Sequence, residues 1–486
     1  MRRAAAVLMA AVAAWASPPR DHRELKRTLS YGQMVEFLRS VARPGLITVT
    51  EEGKSTQGRS LFLVQLNRGG PKATFRVFFY AQQHGDEVSG KDAQLCLIRA
   101  IADQPKLLPE DVDLYLMPMV NPDGAEAFQR LNGAGADLNR DHLLLDQPET
   151  RALHKAARRI QPHLAADSHE FTRDGKAIRA RGWNYPEVIT MDGLNHPLYP
   201  AELTAAALAR VESARPVLAK AGHAYNRYTV GGPPPDEETR PSTIEVTDGR
   251  NSLGALGTLS FIIEAGVLRA QPDPQADLGR RVDAYLKLYW HLIGSADSRK
   301  QIRAISERAH SAPLPPFLAT NFFWANVGGK TTSTKVTEES TGKVLEIPTP
   351  NLMTDLVVKS SVPTPAAYAI DARAAAPFLK VLEAQGIRFE VLAAPLRLRA
   401  EKCRLLRVEE AEDPVYARYE NRQIVGRGAA EDREFPTGSV LVPLDQPLAR
   451  LAVIILEPCM LYGIYAYKTF RSLAEVDGTL PVWRVR

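Results

Sequence analysis

The stretch Phe75-Arg76-Val77-Phe78-Phe79-Tyr80-Ala81-Gln82-Gln83-His84-Gly85-Asp86-Glu87 sets the fold of this chain. Its first seven residues are aromatic or aliphatic with a single Arg. They follow Gly70-Pro71 and give out before Gly85, the pattern of a buried strand. The strand runs into a His and a carboxylate three positions apart. Neutral imidazole and carboxylate oxygen are donors that suit zinc. The pair by itself is also what a solvated turn contains. A catalytic site would further need a third ligand, a base and a group that holds substrate.

Outward from this stretch, strands are predicted at 46–50, 61–66, 113–120, 163–168 and 258–263, and helices at 21–41, 90–102, 148–160, 201–222 and 277–293. Such alternation predicts an α/β domain over residues 22–300, with a mixed, centrally parallel twisted sheet flanked by helices. Four of the apolar runs end in polar residues: His84 and Glu87, Asn121 and Asp123, His169, and Glu264. Open α/β sheets bind ligands at that edge. Near residue 310 the character changes. Ala312-Pro313-Leu314-Pro315-Pro316 reads as a linker into a smaller, strand-rich α+β domain over 310–486. There a helix is expected at 378–385 and strands at 387–392, 439–442 and 452–456. This second region holds no cluster of His, Cys and acids, and its role has no signal.

The chain has 486 residues, 45% hydrophobic and 24% charged, with a net charge of +5 spread along its length. That is the composition of an ordinary globular protein, with nothing that calls for nucleic acid or a polybasic membrane contact. Met1-Arg2-Arg3, the short apolar run to Ala16 and the Ala14-Trp15-Ala16 site have the form of a secretory signal over 1–16, cleaved after Ala16. Twin arginines and small residues have a bacterial look, so the periplasm or the medium is the expected location, with no stable membrane span after cleavage. Of the three cysteines, Cys96 reads as core packing, and Cys403 with Cys459 is the one pair to consider for a disulfide.

Taken together, His84-Gly85-Asp86-Glu87, Asn121-Pro122-Asp123-Gly124, Asp137-Leu138-Asn139-Arg140, Asp167-Ser168-His169 and Phe261-Ile262-Ile263-Glu264 resemble, in order and approximate separation, the zinc metallocarboxypeptidase (carboxypeptidase A-like) family over roughly residues 25–295. The resemblance implies that His84, Glu87 and His169 hold one Zn²⁺ and that Glu264 is the general base. It implies that Asp137 orients His84 through the outer ring nitrogen, and that Asn139 and Arg140 grip the terminal carboxylate of the substrate. Arg130, upstream of that loop, would stabilise the oxyanion. Asp248-Gly249-Arg250-Asn251 falls where the specificity pocket is often lined: Arg250 would suit an acidic side chain, Asp248 a basic one. One departure stands out. The family's mobile tyrosine is missing from Pro241–Ser260, and Tyr225 and Tyr228 lie farther back, where they would need a rearranged loop. Asp86 reads as a turn residue, Glu170 as a hydrogen-bonding neighbour, and His142 and His154 as surface or supporting positions. His196 and His223 carry no signal. The region after 310 resembles the accessory region that follows some exported bacterial members.

The expected activity is an exported zinc exopeptidase, acting on a peptide or peptide-like substrate with a free carboxylate. An amidase or deacylase on murein peptides or N-acyl amino acids is the neighbouring enzyme reading. A non-catalytic binding protein on the same fold is the reading from another class. Oligomeric state leaves no trace in the sequence.

Overall fold

Phe75–Ala81 forms a strand inside an eight-stranded sheet, where both of its faces are covered. The computed structural model describes residues 18–410, 421–474 and 478–486, so the expected signal segment lies outside the described residues. The sheet is built from β1 (Ile47–Lys54), β2 (Ser60–Asn67), β3 (Phe75–Ala81), β4 (Val112–Met117), β5 (Leu164–Thr172), β6 (Ile189–Gly193), β7 (Tyr225–Arg227) and β8 (Leu259–Val267). Their spatial order is β1-β2-β4-β3-β5-β8-β6-β7. The four central strands, β4, β3, β5 and β8, run parallel. β2 joins β4, and β6 joins β8, in antiparallel fashion. This is the mixed, centrally parallel sheet expected from the sequence.

Side chains alternate across a strand. In β3, Phe78 and Tyr80 enter one core with Leu153, Ala156 and Ile160 of helix α3 (Pro148–Ile160). Val77 and Phe79 enter the other with residues of α2 (Ser89–Asp103), α4 (Ala201–Lys220) and α5 (Leu278–Ile293); the Phe79 ring stacks on Tyr289 at 4.6 Å. A strand buried on both sides has no polar face, which is why it reads as a continuous apolar run. The first long helix, α1 (Tyr31–Val41), starts later than the periodicity predicts. Ser30 and Gln33 form a capping box there, satisfying the first free amides and ending the extended segment.

Beyond α6 (Ala296–Ser311) the chain builds a six-stranded sheet whose core strands are Ala367–Ile370, Leu396–Glu410, Asn421–Phe435, Val440–Pro443 and Val482–Val485. Helix α7 (Ala375–Gln385) lies where a helix was expected. Two expectations are corrected. The strand at 387–392 shrinks to Glu390–Val391. The run at 452–456 is part of a helix, α8 (Ala449–Leu456), not a strand. Every residue of α8 is buried, so its pattern has no period, and a short apolar run of that kind fits either element.

The change near residue 310 is a change of sheet, not a break in the core. One hydrophobic cluster runs from Leu25 through Ile302 and Phe322 to Val482. Polar ties cross the same boundary. Gln385 Nε2 donates to the carbonyls of His142 and Leu143 at 2.8 and 2.9 Å, and Arg450 Nε donates to that of Leu198 at 2.9 Å. The three cysteines are free thiols, Cys403 and Cys459 included. Among the described residues, no helix is long and apolar enough to cross a membrane.

Candidate active site

The site lies at the carboxyl ends of β3, β5 and β8. After Ala81 the chain turns through Gln82, at φ 57°, and Asn121 N–H donates to the Gln82 carbonyl at 3.0 Å. A Cβ on Gly85 would stand 2.0 Å from the carbonyl carbon of Gly124 and 2.3 Å from Ala125 N, so only glycine lets the loop pass the short helix Pro122–Ala127. Wedged there, the loop presents His84 and Glu87 side by side. In the sheet, Glu264 of β8 is paired with His169 of β5, so the two side chains share a face.

His84, Glu87 and His169 are all buried, with donor atoms within 4.8 Å of one another. His84 Nδ1 is 2.8 Å from one Glu87 oxygen and His169 Nδ1 is 2.9 Å from the other; the two Nδ1 atoms are 3.2 Å apart. Two nitrogens and one carboxylate that converge in this way are a donor set that fits zinc. The outer nitrogens are held by separate acids. Asp137 Oδ1 lies 3.2 Å from His84 Nε2, and Asp167 Oδ2 lies 2.9 Å from His169 Nε2. Each acid draws the ring proton outward and leaves the Nδ1 lone pair facing the centre. Burial opposes protonation of both rings. The carboxylates around them outweigh it, Glu87 foremost at His84 and Asp167 at His169, and hold both pKa values above the ordinary imidazole value. Loading a cation would therefore release protons. Asp167 was visible in the sequence only as part of a motif. Its signal was the Asp-x-His spacing on one strand face, which β5 turns into a hydrogen bond.

Glu264 is 6% exposed, and burial pushes its carboxyl up to about 7. The Tyr228 hydroxyl lies close to it: after burial, the Glu264 charge is the largest cause that pushes the phenol's pKa up, and the Tyr228 ring packs near Phe171 at 6.5 Å. A tyrosine thus reaches the site from outside the interval where the family would place one. It comes from the end of β7, just before the hairpin of Thr229–Gly231 with Thr239–Pro241.

Arg130 spans the mouth. Its Nε and Nη2 lie 3.1 and 3.0 Å from Asp137 Oδ2, and Nη1 is 3.2 Å from His84 Nδ1; the side chain is 43% exposed. Arg140 lines the funnel and donates to the Asn139 carbonyl at 2.7 Å. The Asn139 side chain is spent on the protein: Oδ1 accepts from Gly249 N–H at 2.9 Å, and Nδ2 is 3.2 Å from His169 Nε2.

Arg250 is a correction. It is fully buried behind the funnel wall. Its guanidinium contacts Asp192, Ser242 and the Gly193 carbonyl, and donates to the Thr243 carbonyl at 2.6 Å and Asp248 at 2.9 Å. Asp248 lines the funnel, but that ion pair ties up its charge. A guanidinium between two carboxylates has no reason to leave for water, so Arg250 is not brought to the substrate side.

The other candidates sort by burial. Glu170 points away from the centre, accepting from Ser89 and from Arg281 at 2.6 Å. His142 and His154 are not surface residues; both are buried and joined at 2.9 Å. His142 also meets Gln83, which donates to Asp167 at 2.7 Å. Asp86 pairs with Arg269 at 3.4 Å. The funnel above the three donors has a volume of about 700 Å³.

Residues 34–173 match the family model described as zinc carboxypeptidase, and this stretch of the chain is a domain of that family. The match takes in His84, Glu87 and His169 and stops short of Glu264. Over 150 residues the chain is 33% identical to a probable carboxypeptidase 2 of Trichophyton verrucosum, covering 29% of each chain. It is 34% identical over 135 residues to carboxypeptidase SOL1 of Arabidopsis thaliana, covering 24% of this chain and 28% of that one. The chain thus spans less than a third of the length of these curated relatives. Among solved structures, a metallo-carboxypeptidase from Burkholderia cenocepacia aligns at 19% identity with a TM-score of 0.44, covering 57% of this chain and 70% of that one.

Proposed function

We propose that this chain is an exported, zinc-dependent metallocarboxypeptidase that hydrolyses the C-terminal amide bond of a peptide or peptide-like substrate. The observation that carries the proposal is the convergence of two imidazoles and a carboxylate beside a buried glutamate, at the base of a funnel rimmed by arginines. His84, Glu87 and His169 would hold the ion. When bound, zinc supplies Lewis acidity toward the scissile carbonyl and lowers the pKa of a water molecule.

The chain's own residues do the rest. Glu264 accepts the proton of the attacking water and returns it to the departing amide nitrogen. The Tyr228 hydroxyl, donating to Glu264, holds that carboxylate in place. Arg130 sets a guanidinium beside the carbonyl oxygen as negative charge develops there. Arg140 receives the terminal carboxylate on its planar fork. Asn139 keeps the Arg140 loop fastened to Gly249, whose N–H its Oδ1 accepts. Export to the periplasm or medium rests on the charged start, apolar run and small-residue site at 1–16.

The test combines metal analysis with a substrate panel of free peptides, C-terminally amidated peptides, murein peptides and N-acyl amino acids. The expected result is one zinc per chain in both the wild type and Glu264→Gln. The wild type should cleave free but not amidated peptides, and the variant should lose activity by a factor of about 10² to 10⁴. Cleavage confined to the murein or acyl substrates would move the assignment to an amidase or deacylase. A zinc-loaded wild type that cleaves nothing on the panel sinks the enzyme reading.

A further inference from the structure

At the opposite edge of the sheet, where the parallel strands begin, a second cavity of about 510 Å³ lies between the catalytic domain and the C-terminal region. Arg76 of β3, His163 just before β5 and Thr258 just before β8 form its sheet side; Arg158 of α3 and Arg388 and Leu448 of the C-terminal region close it. It is separated from the metal centre by the length of these strands, about 20 Å at 3.3 Å per residue.

The cavity is walled by donors with too few acceptors. His163 is 2% exposed. Its Nδ1 accepts from Arg76 N–H at 3.0 Å, which places the ring proton on Nε2. That Nε2–H has no hydrogen-bond partner; the nearest carboxylate, Glu307, stands 3.8 Å off and accepts instead from Arg303 at 2.8 Å. Burial holds the ring neutral, with its pKa pushed down to about 3. Arg158 Nη1 is buried without a partner, and burial alone, with no neighbouring carboxylate, lowers the pKa of this guanidinium. Arg76 adds a further cation, set against Arg303. Arg388 is already engaged by Asp445 at 2.5 Å. The remaining lining is largely apolar, including Leu256 and Leu448. Arg158 is half-buried, but its Nη1 and the His163 Nε2–H are both buried without an acceptor in the lining of one cavity, which is costly, and an anion would satisfy both.

We propose that this cavity binds a small organic anion, a carboxylate or phosphate on a short apolar body, with its head on Arg158 and the His163 Nε2–H and its body on Leu256 and Leu448. Its volume is in the range of ordinary ligand sites, about 300–1,000 Å³. Because the walls come from both halves of the chain, occupancy would pin the C-terminal region to the sheet.

The experiment uses the full-length, metal-loaded protein, with octanoate, octyl phosphate and, as neutral control, octanol, read by calorimetric titration and by thermal unfolding. The expected result is saturable binding of one molecule per chain and a raised Tm for at least one of the two anions, with none for octanol. Which anion binds more tightly identifies the head group. Arg158→Gln should weaken binding at least tenfold while leaving the ligand-free Tm unchanged or higher, since an unpaired charge is removed; a merely structural arginine would lower it. His163→Phe should weaken binding similarly, and bound anion should not compete with a peptide substrate. Binding no better than that of octanol, binding undiminished in both variants, or competition with substrate overturns the proposal. Titration and Tm do not depend on turnover, and only the competition arm does, so failure here and failure of the carboxypeptidase assignment are distinguishable.

Discussion

At the scale of the residue, Glu264 in its proposed role as base must be ionised to accept a proton, and burial works against that, pushing its carboxyl from 4.5 to about 7. A cation on the three donors favours the carboxylate, so the acid limb of the kcat/KM profile should lie between these values. Activity then falls about tenfold per pH unit as pH drops through the limb, because the protonated form cannot act as base. A Tyr228 hydroxyl that donates to the ionised form would help keep it charged. Tyr228→Phe should move the limb upward, by up to about one unit, as read from kcat/KM between pH 4 and 9. An unmoved limb would leave Tyr228 as wall rather than partner.

At the scale of the element, the strand-to-loop passage after β3 depends on one missing side chain. The atoms that a Cβ on Gly85 would meet belong to the backbone of Gly124 and Ala125, which cannot rotate aside as a side chain would. Gly85→Ala should therefore push the loop off the helix Pro122–Ala127 and carry His84 and Glu87 with it. The expected cost is about 1–3 kcal/mol in stability, seen in denaturant unfolding, together with a loss of zinc affinity of tenfold or more in competition with a chelator. The two donors sit on a single loop, so they would move together, away from His169 on β5.

At the scale of the whole molecule, the C-terminal region is packed into the same core as the eight-stranded sheet and its helices. Gln385, at the end of α7, holds the carbonyls of His142 and Leu143, a few residues beyond Arg140. Deleting residues 310–486 would uncover Ile302 and Ile305, strip Arg450 from Leu198, and release that loop. The truncated chain is expected to aggregate, or to fold with a raised KM for peptide substrates, in gel filtration and steady-state kinetics. A soluble truncation with unchanged kinetics would show that the region contributes nothing to the site.

The alternation of strands and helices and the polar residues that end β3, β5 and β8 are legible in the chain alone. These are local properties, written as unbroken apolar runs in the strands, a period of 3.6 in the helices and breaks at Gly and Pro. The relations between distant segments were beyond it. Only the tertiary structure decided that Asp167 backs His169 and that Tyr228 reaches Glu264 from β7. Only packing turned Arg250 into the wall between Asp192 and Asp248 rather than toward substrate, because the direction of a side chain is set by which partners the fold brings near. The same holds for Ala449–Leu456, whose apolar run fits strand or helix equally until its surroundings bury all sides. His84 and Glu87 were readable as a pair because they stand three positions apart on one loop; their meeting with His169 required the parallel pairing of β3 and β5.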